Sequence, residues 1–395
     1  MIMKKSRMFK TGKKEFFSFC FYGRLPFLFF IWAAVQAGFY AGGCGGDRSR
    51  DEEHSDGGLV PDGEVVPDGD GEVLDVLEDG SGADSGFTPD TVYVTGPVGR
   101  IDYEYELDLN NHDHTGGERV YTLAGGTLPG GLELGADGMV AGVPEVSGGY
   151  VAVIHGDDDD CTGGICSIEM TLEVEVLPVI LVSGFGPFGG IDENPSWGAV
   201  EPLDHELIAG HDVRAVMTPV VWDEADEVLL AEYERLKPVI AVASGVAAGE
   251  GIIRLESTAV NQAYGTDNNE VFMAGVPIME DGEEFLYGTI PLAELEAILD
   301  QEGYPVGISD YAGDYLCNFI YYKLMHRVAE EDVEKHILGG FVHVPSVDVV
   351  SISEMTEAWV LILEYLALHR AELLQKRKSP GQTPYRTSIN HPPRY

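Results

Sequence analysis

The sequence predicts two folded modules in series: an all-β sandwich followed by an α/β/α three-layer domain with a mainly parallel sheet. Two patterns carry that reading. Between residues 92 and 176, short β-prone runs (YVTG, YEYEL, RVYTL, YVAVI, MTLEVEV) alternate with Gly and Asp clusters at the spacing of a small sandwich. From Val179 onward, β-branched runs alternate with helical stretches, as a parallel sheet covered on both faces requires. Composition agrees, since 44% apolar and 10% aromatic residues in a 395-residue chain can fill more than one core. The 67 acidic against 24 basic residues give a net charge of −43, which excludes the positive footprint of a nucleic-acid-binding surface.

Residues 1–43 read as an export signal. Lys4, Lys5, Arg7, Lys10, Lys13 and Lys14 form a cationic start, and Leu25 to Val35 (LPFLFFIWAAV) is an apolar run short for a spanning helix. It ends in Tyr40-Ala41-Gly42-Gly43-Cys44, small residues before a cysteine, which resembles the lipobox of bacterial lipoproteins. That resemblance implies acylation of Cys44, a membrane attachment through the lipid, and a place in the bacterial cell envelope. Gly45, where Asp would signal inner-membrane retention, favours the outer membrane. A plain secretory signal or an uncleaved anchor would also leave the remaining chain outside the cytoplasm. Residues 44–91 are Gly, Asp, Glu and Pro with scattered Val and Leu, too polar to bury a core, and are expected to be an extended acidic tether. The PDGDGE stretch within them lacks the spaced ligands and closing Glu of a calcium loop.

The β module is expected over residues 92–177. Its centre, Gly126 to Leu134 (GTLPGGLEL) followed by Asp137-Gly138 and Gly142-Val143-Pro144, resembles the Ig or cadherin-like modules of bacterial surface proteins. That resemblance implies a spacer or adhesion unit without catalysis. Cys161 and Cys166 (CTGGIC) fall in an expected hairpin loop, and outside the reducing cytosol they are expected to pair. Asp157 to Asp160 read as a solvated loop, with calcium binding left open, and His112 and His114 have no third ligand beside them, so no metal site is assigned.

Over residues 178–375 the α/β domain is expected to have strands near 179–183, 213–220, 238–243, 305–308 and 340–344. Helices are expected at 196–207, 222–236, 292–302 and 353–376, the last ending in a basic turn that favours the helix C-terminus. Residues 376–395 are a basic, proline-bearing tail expected to lack structure, with anionic head groups or the acidic tether as possible contacts.

Four local signatures follow one another in this domain. Gly184 to Gly190 (GFGPFGG) leads into Asn194-Pro195-Ser196-Trp197. Then come Arg254 to Asn261 (RLESTAVN) with Asp267-Asn268, Ala312 to Asn318 (AGDYLCN), and Gly340 to Pro345 (GFVHVP). In this order the set resembles pyroglutamyl peptidase I, the cysteine peptidases that remove an N-terminal pyroglutamate from peptides. The resemblance covers about residues 178–370 and implies a phosphorylase/hydrolase-like fold, pyroglutamyl peptides as substrates, and no cofactor.

Read for their chemistry, the same residues fit. Cys317 opens an apolar-periodic run (CNFIYYKLMHRV), so its sulfur is expected at a helix N-terminus, where the dipole and free N–H groups would favour a thiolate nucleophile. His343 ends a short buried strand, where α/β folds gather catalytic groups, and is the expected base. Glu256 would take the other imidazole N–H and orient the ring. The resemblance implies this triad, Glu256, Cys317 and His343, in this chain order. It also implies that Phe185 and Phe188 hold the flat lactam ring, in an apolar pocket where an α-ammonium would be costly.

The chain departs from the family pattern in three places. The Gly-rich turn that usually carries Gln and ends Gly-Gly-Arg reads Gly245 to Glu250 (GVAAGE). The loop from Asn261 to Asp267 is short and has no basic residue where the family usually places an arginine, and Asp314 replaces a usual Thr. A carboxylate near the thiol and two absent arginines predict a weaker nucleophile or a shifted substrate. Three functions follow, the first two being an exported, lipid-anchored cysteine exopeptidase and a catalytically impaired or altered-specificity peptide-binding lipoprotein on the same fold. A surface adhesion protein with an inert Cys317 is the third.

Overall fold

The computed structural model describes residues 90–378, apart from 191, 248, 250 and 336. The expected signal, Cys44, the acidic segment as far as residue 89 and residues 379–395 of the basic tail lie outside the described residues, as do two positions of the 245–250 turn.

Residues 90–176 make two sheets. The first holds β1 (Asp90–Thr95), and the second opens with β2 (Tyr105–Asp108). These are followed by β3 (Val120–Gly126), β4 (Leu132–Leu134), β5 (Met139–Gly142), β6 (Gly148–Asp157) and β7 (Ser167–Val176). The four-stranded sheet runs β1-β7-β6-β3, with β1 parallel to β7 and the others antiparallel, and the three-stranded sheet runs β2-β5-β4. Alternation explains the packing. In β7, Ile168, Met170, Leu172, Val174 and Val176 are buried while the residues between them reach solvent, as a half-buried strand dictates. The first four pack on Tyr105, Leu132 and Val140 of the second sheet, and Val176 joins a core of the α/β domain that follows. Cys161 and Cys166 form a disulfide in the loop between β6 and β7, with a Cα–Cα distance of 5.4 Å.

Residues 179–378 are an α/β domain with a mixed sheet. In chain order it contains β8 (Val179–Phe185), α1 (Pro195–Val200), β9 (Leu207–Ile208), β10 (His211–Thr218), α2 (Glu224–Leu236), β11 (Ile240–Val246), β12 (Ile253–Glu256), β13 (Thr258–Val260), β14 (Ala263–Thr266) and β15 (Phe272–Val276). It continues through β16 (Phe285–Tyr287), α3 (Leu292–Gln301), β17 (Val306–Ser309), α4 (Leu316–Lys335), β18 (Leu338–Val344) and α5 (Ile352–Lys378). The central sheet has the order β17-β12-β18-β11-β8-β10-β9. Four of its pairs are parallel, and two, β12 with β18 and β9 with β10, are antiparallel. One face packs against α1, α3 and α5 through residues such as Ile180, Val242, Val342, Leu295 and Trp359. The other packs against α2 and α4 through Leu181, Ala243, Phe341, Leu229 and Ile320. The strands β8, β11 and β18 are buried on both faces, which is why they read as continuous apolar runs.

Three boundaries differ from the sequence expectation. The helix expected at 196–207 stops at Val200, because Pro202 cannot continue the ladder. A 3₁₀ turn over Glu201–Leu203 follows, and the chain then adds the edge strand β9. Helix α2 starts two residues late, since Trp222 donates its backbone N–H to Asp267 Oδ2 (3.0 Å) and Asp223 adopts a left-handed φ of 63°. Strand β12 was legible only as a β-prone stretch around Glu256, and its antiparallel insertion beside β18 is what makes the sheet mixed.

The β module is seated on the α/β domain and belongs with it to one compact unit. Asp212 of β10 is fully buried and takes Arg100 of the β1–β2 loop at 2.6 Å and Arg214 at 3.0 Å. Arg214 also pairs with Asp102 (3.0 Å) and donates to the Ile101 carbonyl, while Ile101 packs among the α2–α4 core residues. Removing the carboxylate would take from Arg100 and Arg214 the buried negative charge they share. Asp212→Ala is expected to lower unfolding stability by about 3 kcal/mol, read as a shifted urea midpoint.

Candidate active site

Side-chain alternation and strand register place the site. On the α2–α4 face of the sheet, Gly245 of β11 is the register partner of His343 of β18, and His343 is in turn the partner of Arg254 of β12. Glu256 lies two residues beyond Arg254 on the same face, opposite Phe341. Gly245, His343 and Arg254 therefore form one row across three strands at the end of the sheet.

Cys317 is the second residue of α4 and is half-buried. Its sulfur lies directly over Gly245: a Cβ built there would be 2.6 Å from Cys317 Sγ and 3.1 Å from the Phe341 ring. The thiol thus occupies the space that a side chain at 245 would fill, next to the strand that carries His343. Asn318 anchors the start of the helix. Fully buried, it accepts from Val260 N (2.8 Å) and donates to the carbonyls of Val260 (2.8 Å) and Gln262 (2.9 Å).

His343 and Glu256 meet at 2.7 Å, Nδ1 to Oε1, with the imidazole 5% exposed and the carboxylate fully buried. This bond orients the ring so that Nε2 is the nitrogen left for other partners. Phe341 supports the ring edge-on at 4.8 Å. Tyr321 of α4 donates to the backbone carbonyl of Glu256 at 2.9 Å and fixes that end of β12 from below. Arg254 places Nε at 2.9 Å and Nη2 at 2.8 Å from the same Oε1, with Nη2 3.4 Å from His343 Nδ1. Glu256 Oε2 has no hydrogen-bond partner among the described residues.

Beside the thiol is a small pocket open to solvent, lined chiefly by Phe185, Phe188, Val220, Val246 and Tyr315. Its wall is held by the Asn-Pro-Ser segment. Asn194 donates to the Gly186 carbonyl (2.9 Å) and accepts from Ser196, and Ser196 Oγ accepts from Phe185 N (3.0 Å). Gly184 lets this happen, because a Cβ there would stand 2.5 Å from the Ser196 carbonyl oxygen. The Asp267-Asn268 pair supports the segments behind this lining. Asp267 accepts from the backbone N–H groups of Trp222, Asn269 and Val271, and Asn268 Nδ2 donates to the Pro187 carbonyl at 2.9 Å. Trp222 packs edge-on against Tyr315 at 5.3 Å.

The structure thus brings Glu256, Cys317, His343, Phe185 and Phe188 into one site, and it keeps the disulfide of Cys161 and Cys166 away in the β module. A segment of pyroglutamyl peptidase pattern, as the family model describes it, matches residues 179–366. The pyrrolidone-carboxylate peptidase of Klebsiella pneumoniae is 36% identical over 168 residues, covering 42% of this chain and 77% of that protein. The chain belongs to the pyroglutamyl peptidase family. Its counterpart in Brevibacillus brevis is 37% identical over 171 residues, covering 43% of this chain and 79% of that protein. The crystal structure of pyroglutamyl peptidase I from Bacillus amyloliquefaciens is 27% identical, covers 49% of this chain and 98% of its own, and superposes with a TM-score of 0.47. The α/β domain is a pyroglutamyl-peptidase I-like cysteine peptidase.

One electrostatic expectation for this peptidase is corrected. The helix start does not leave the thiol acidic: burial first, and then the Glu256 carboxylate, push Cys317 up to about 12, against smaller opposing effects from its own backbone N–H and Arg254. The opposing carboxylate is also Glu256, not the Asp314 that the sequence pointed to. The residues that sequence reasoning passed over are Arg254, Gly245, Asn318 and Tyr321. Only Arg254 had a usable signal, its spacing of two from Glu256 in a β-prone run.

Two outcomes follow. A raised thiol pKa keeps the thiolate scarce at neutral pH, so the iodoacetamide reaction of Cys317 should climb about tenfold per pH unit from neutral to mildly alkaline pH, without a plateau. Gly245→Ala must displace the sulfur, and kcat/KM toward a pyroglutamyl amide should fall about 100-fold while circular dichroism stays native.

Proposed function

We propose that this chain is an exported, lipid-anchored cysteine exopeptidase that removes N-terminal pyroglutamate from peptides. The observation that carries the reading is the 2.7 Å Glu256–His343 bond beside a thiol that opens onto an apolar pocket. Phe185 and Phe188 offer flat apolar walls to a lactam ring, and the largely apolar lining would penalise a charged α-amine.

With its pKa raised, Cys317 is suited to attack as a thiol that gives up its proton during the step. His343 takes the Sγ proton as sulfur bonds to the pyroglutamyl carbonyl carbon, and Glu256 steadies the imidazolium. The carbonyl oxygen gains the negative charge, facing backbone N–H groups at the start of α4. As the C–N bond breaks, His343 returns the proton to the leaving amine, and a thioester remains. Water then gives His343 a proton and attacks the thioester, releasing pyroglutamate and regenerating the thiol.

The rest of the chain supports an envelope setting. The cationic and apolar start ahead of Cys44 argues for export and lipid attachment, the outer membrane being favoured by Gly45. The Cys161–Cys166 disulfide fits an oxidising compartment, and Cys317 is the free thiol among the described residues. The β module would then hold the peptidase on its tether as an Ig or cadherin-like unit. The raised thiol pKa also favours a second reading, a peptide-binding lipoprotein with weak or altered activity.

Incubating the reduced full-length protein with a fluorogenic pyroglutamyl amide, a prolyl amide and a Cys317→Ala control separates the two. Turnover of the pyroglutamyl amide alone, reduced at least about a thousandfold in the control, is the result expected of the peptidase. Binding of the amide without turnover by a folded wild-type chain would replace it with the second reading.

A further inference from the structure

The family pattern implies two arginines near the reaction centre, and neither the 245–250 turn nor the 261–267 loop of this chain supplies one. The structure brings a guanidinium from β12 to the Glu256–His343 pair. Arg254 is the register partner of His343, and its side chain is about one-fifth exposed. Three donors converge on one oxygen: Arg254 Nε at 2.9 Å, Arg254 Nη2 at 2.8 Å and His343 Nδ1 at 2.7 Å from Glu256 Oε1. Arg254 Nη2 also reaches the Tyr311 carbonyl at 3.3 Å, which ties the guanidinium to the segment leading into α4 and the nucleophile.

A fully buried carboxylate with a single imidazole partner would be poorly compensated and free to turn its unpartnered Oε2 toward the ring. The guanidinium removes both problems, since it supplies opposite charge and a planar fork that fixes the carboxylate about its last torsion. We propose that Arg254 is the positioning residue of the site, holding Glu256 Oε1 against His343 and maintaining the positive charge beside the thiol and imidazole that arginines elsewhere in the family pattern would supply. This rests on the peptidase reading above. The charged and titratable groups around the thiol are Glu256 and Arg254 from β12, His343 from β18, and Tyr315 and Tyr321 at the start of α4. Among them Arg254 acts on Cys317 in the direction opposite to burial and Glu256.

The test compares Arg254→Met and Arg254→Lys in the full chain. Removing the cation disfavours the thiolate and favours the imidazolium. In Arg254→Met, kcat should fall about 10–100-fold with KM within about twofold, the loss typical of a group that supports a reacting residue from behind. The acid limb of its pH–rate profile should move up by about half a pH unit, and iodoacetamide alkylation of Cys317 at one mildly alkaline pH should slow about threefold. Arg254→Lys keeps the charge and loses the fork, so it should restore the acid limb and the alkylation rate but only part of kcat. An Arg254→Met protein with wild-type alkylation and an unmoved acid limb overturns the proposal, as does a loss of kcat in both variants that merely follows a lowered urea midpoint. Alkylation needs no substrate, so it reads Arg254 even if the wild-type chain turns over no pyroglutamyl amide. That absence of turnover would count against the peptidase reading instead.

Discussion

The site depends on Glu256, a carboxylate with no exposure to solvent, finding its partners inside the protein. That requirement fixes the local topology. In the observed register Arg254 stands level with His343, and Glu256 lies beside it opposite Phe341. Antiparallel pairing with β18 gathers imidazole and guanidinium donors on one oxygen. Tyr321 from α4 then ties the backbone of Glu256 to the helix that bears the nucleophile. Sheet and helix are therefore joined through polar contacts at the one place where a void or a misplaced charge would matter most.

Packing serves the same end by leaving things out. Gly245 gives its side-chain volume to the sulfur of Cys317, and Gly184 lets α1 approach β8 closely enough for Ser196 to hold Phe185. Each glycine is a place where a larger residue would push apart two elements that the pocket needs close together.

Much of this was readable in the sequence because it rests on periodicity. The strands β8, β11 and β18 are uninterrupted apolar runs, and the helix after Cys317 shows its apolar face plainly. Glu256, Cys317 and His343 stood out through the motifs around them. What remained hidden depends on register. Four residues beginning at Ile253 form too short a run to announce a strand direction, so the alignment of Arg254 with His343 has no local signature. Pro202 was a visible helix breaker inside the expected 196–207 helix, and the structure breaks the helix just before it. The weaker nucleophile expected from a nearby carboxylate agrees in direction with the raised thiol, but its largest cause, burial, and the carboxylate concerned, Glu256, were not legible.

The pairing of β1 with β7 has a mechanical meaning. The chain ahead of Asp90 enters β1 at one end of this parallel pair, and the peptidase leaves β7 at the other end, through Leu177 and Pro178 into β8. A pull between the N-terminal part of the chain and the peptidase would therefore load the six residue pairs from Asp90–Ile168 to Thr95–Glu173 in shear, all at once, and would not open them one by one. With the clamp of Arg100 and Arg214 on Asp212 behind it, the β module is built to pass tension from its first strand to the peptidase without unravelling.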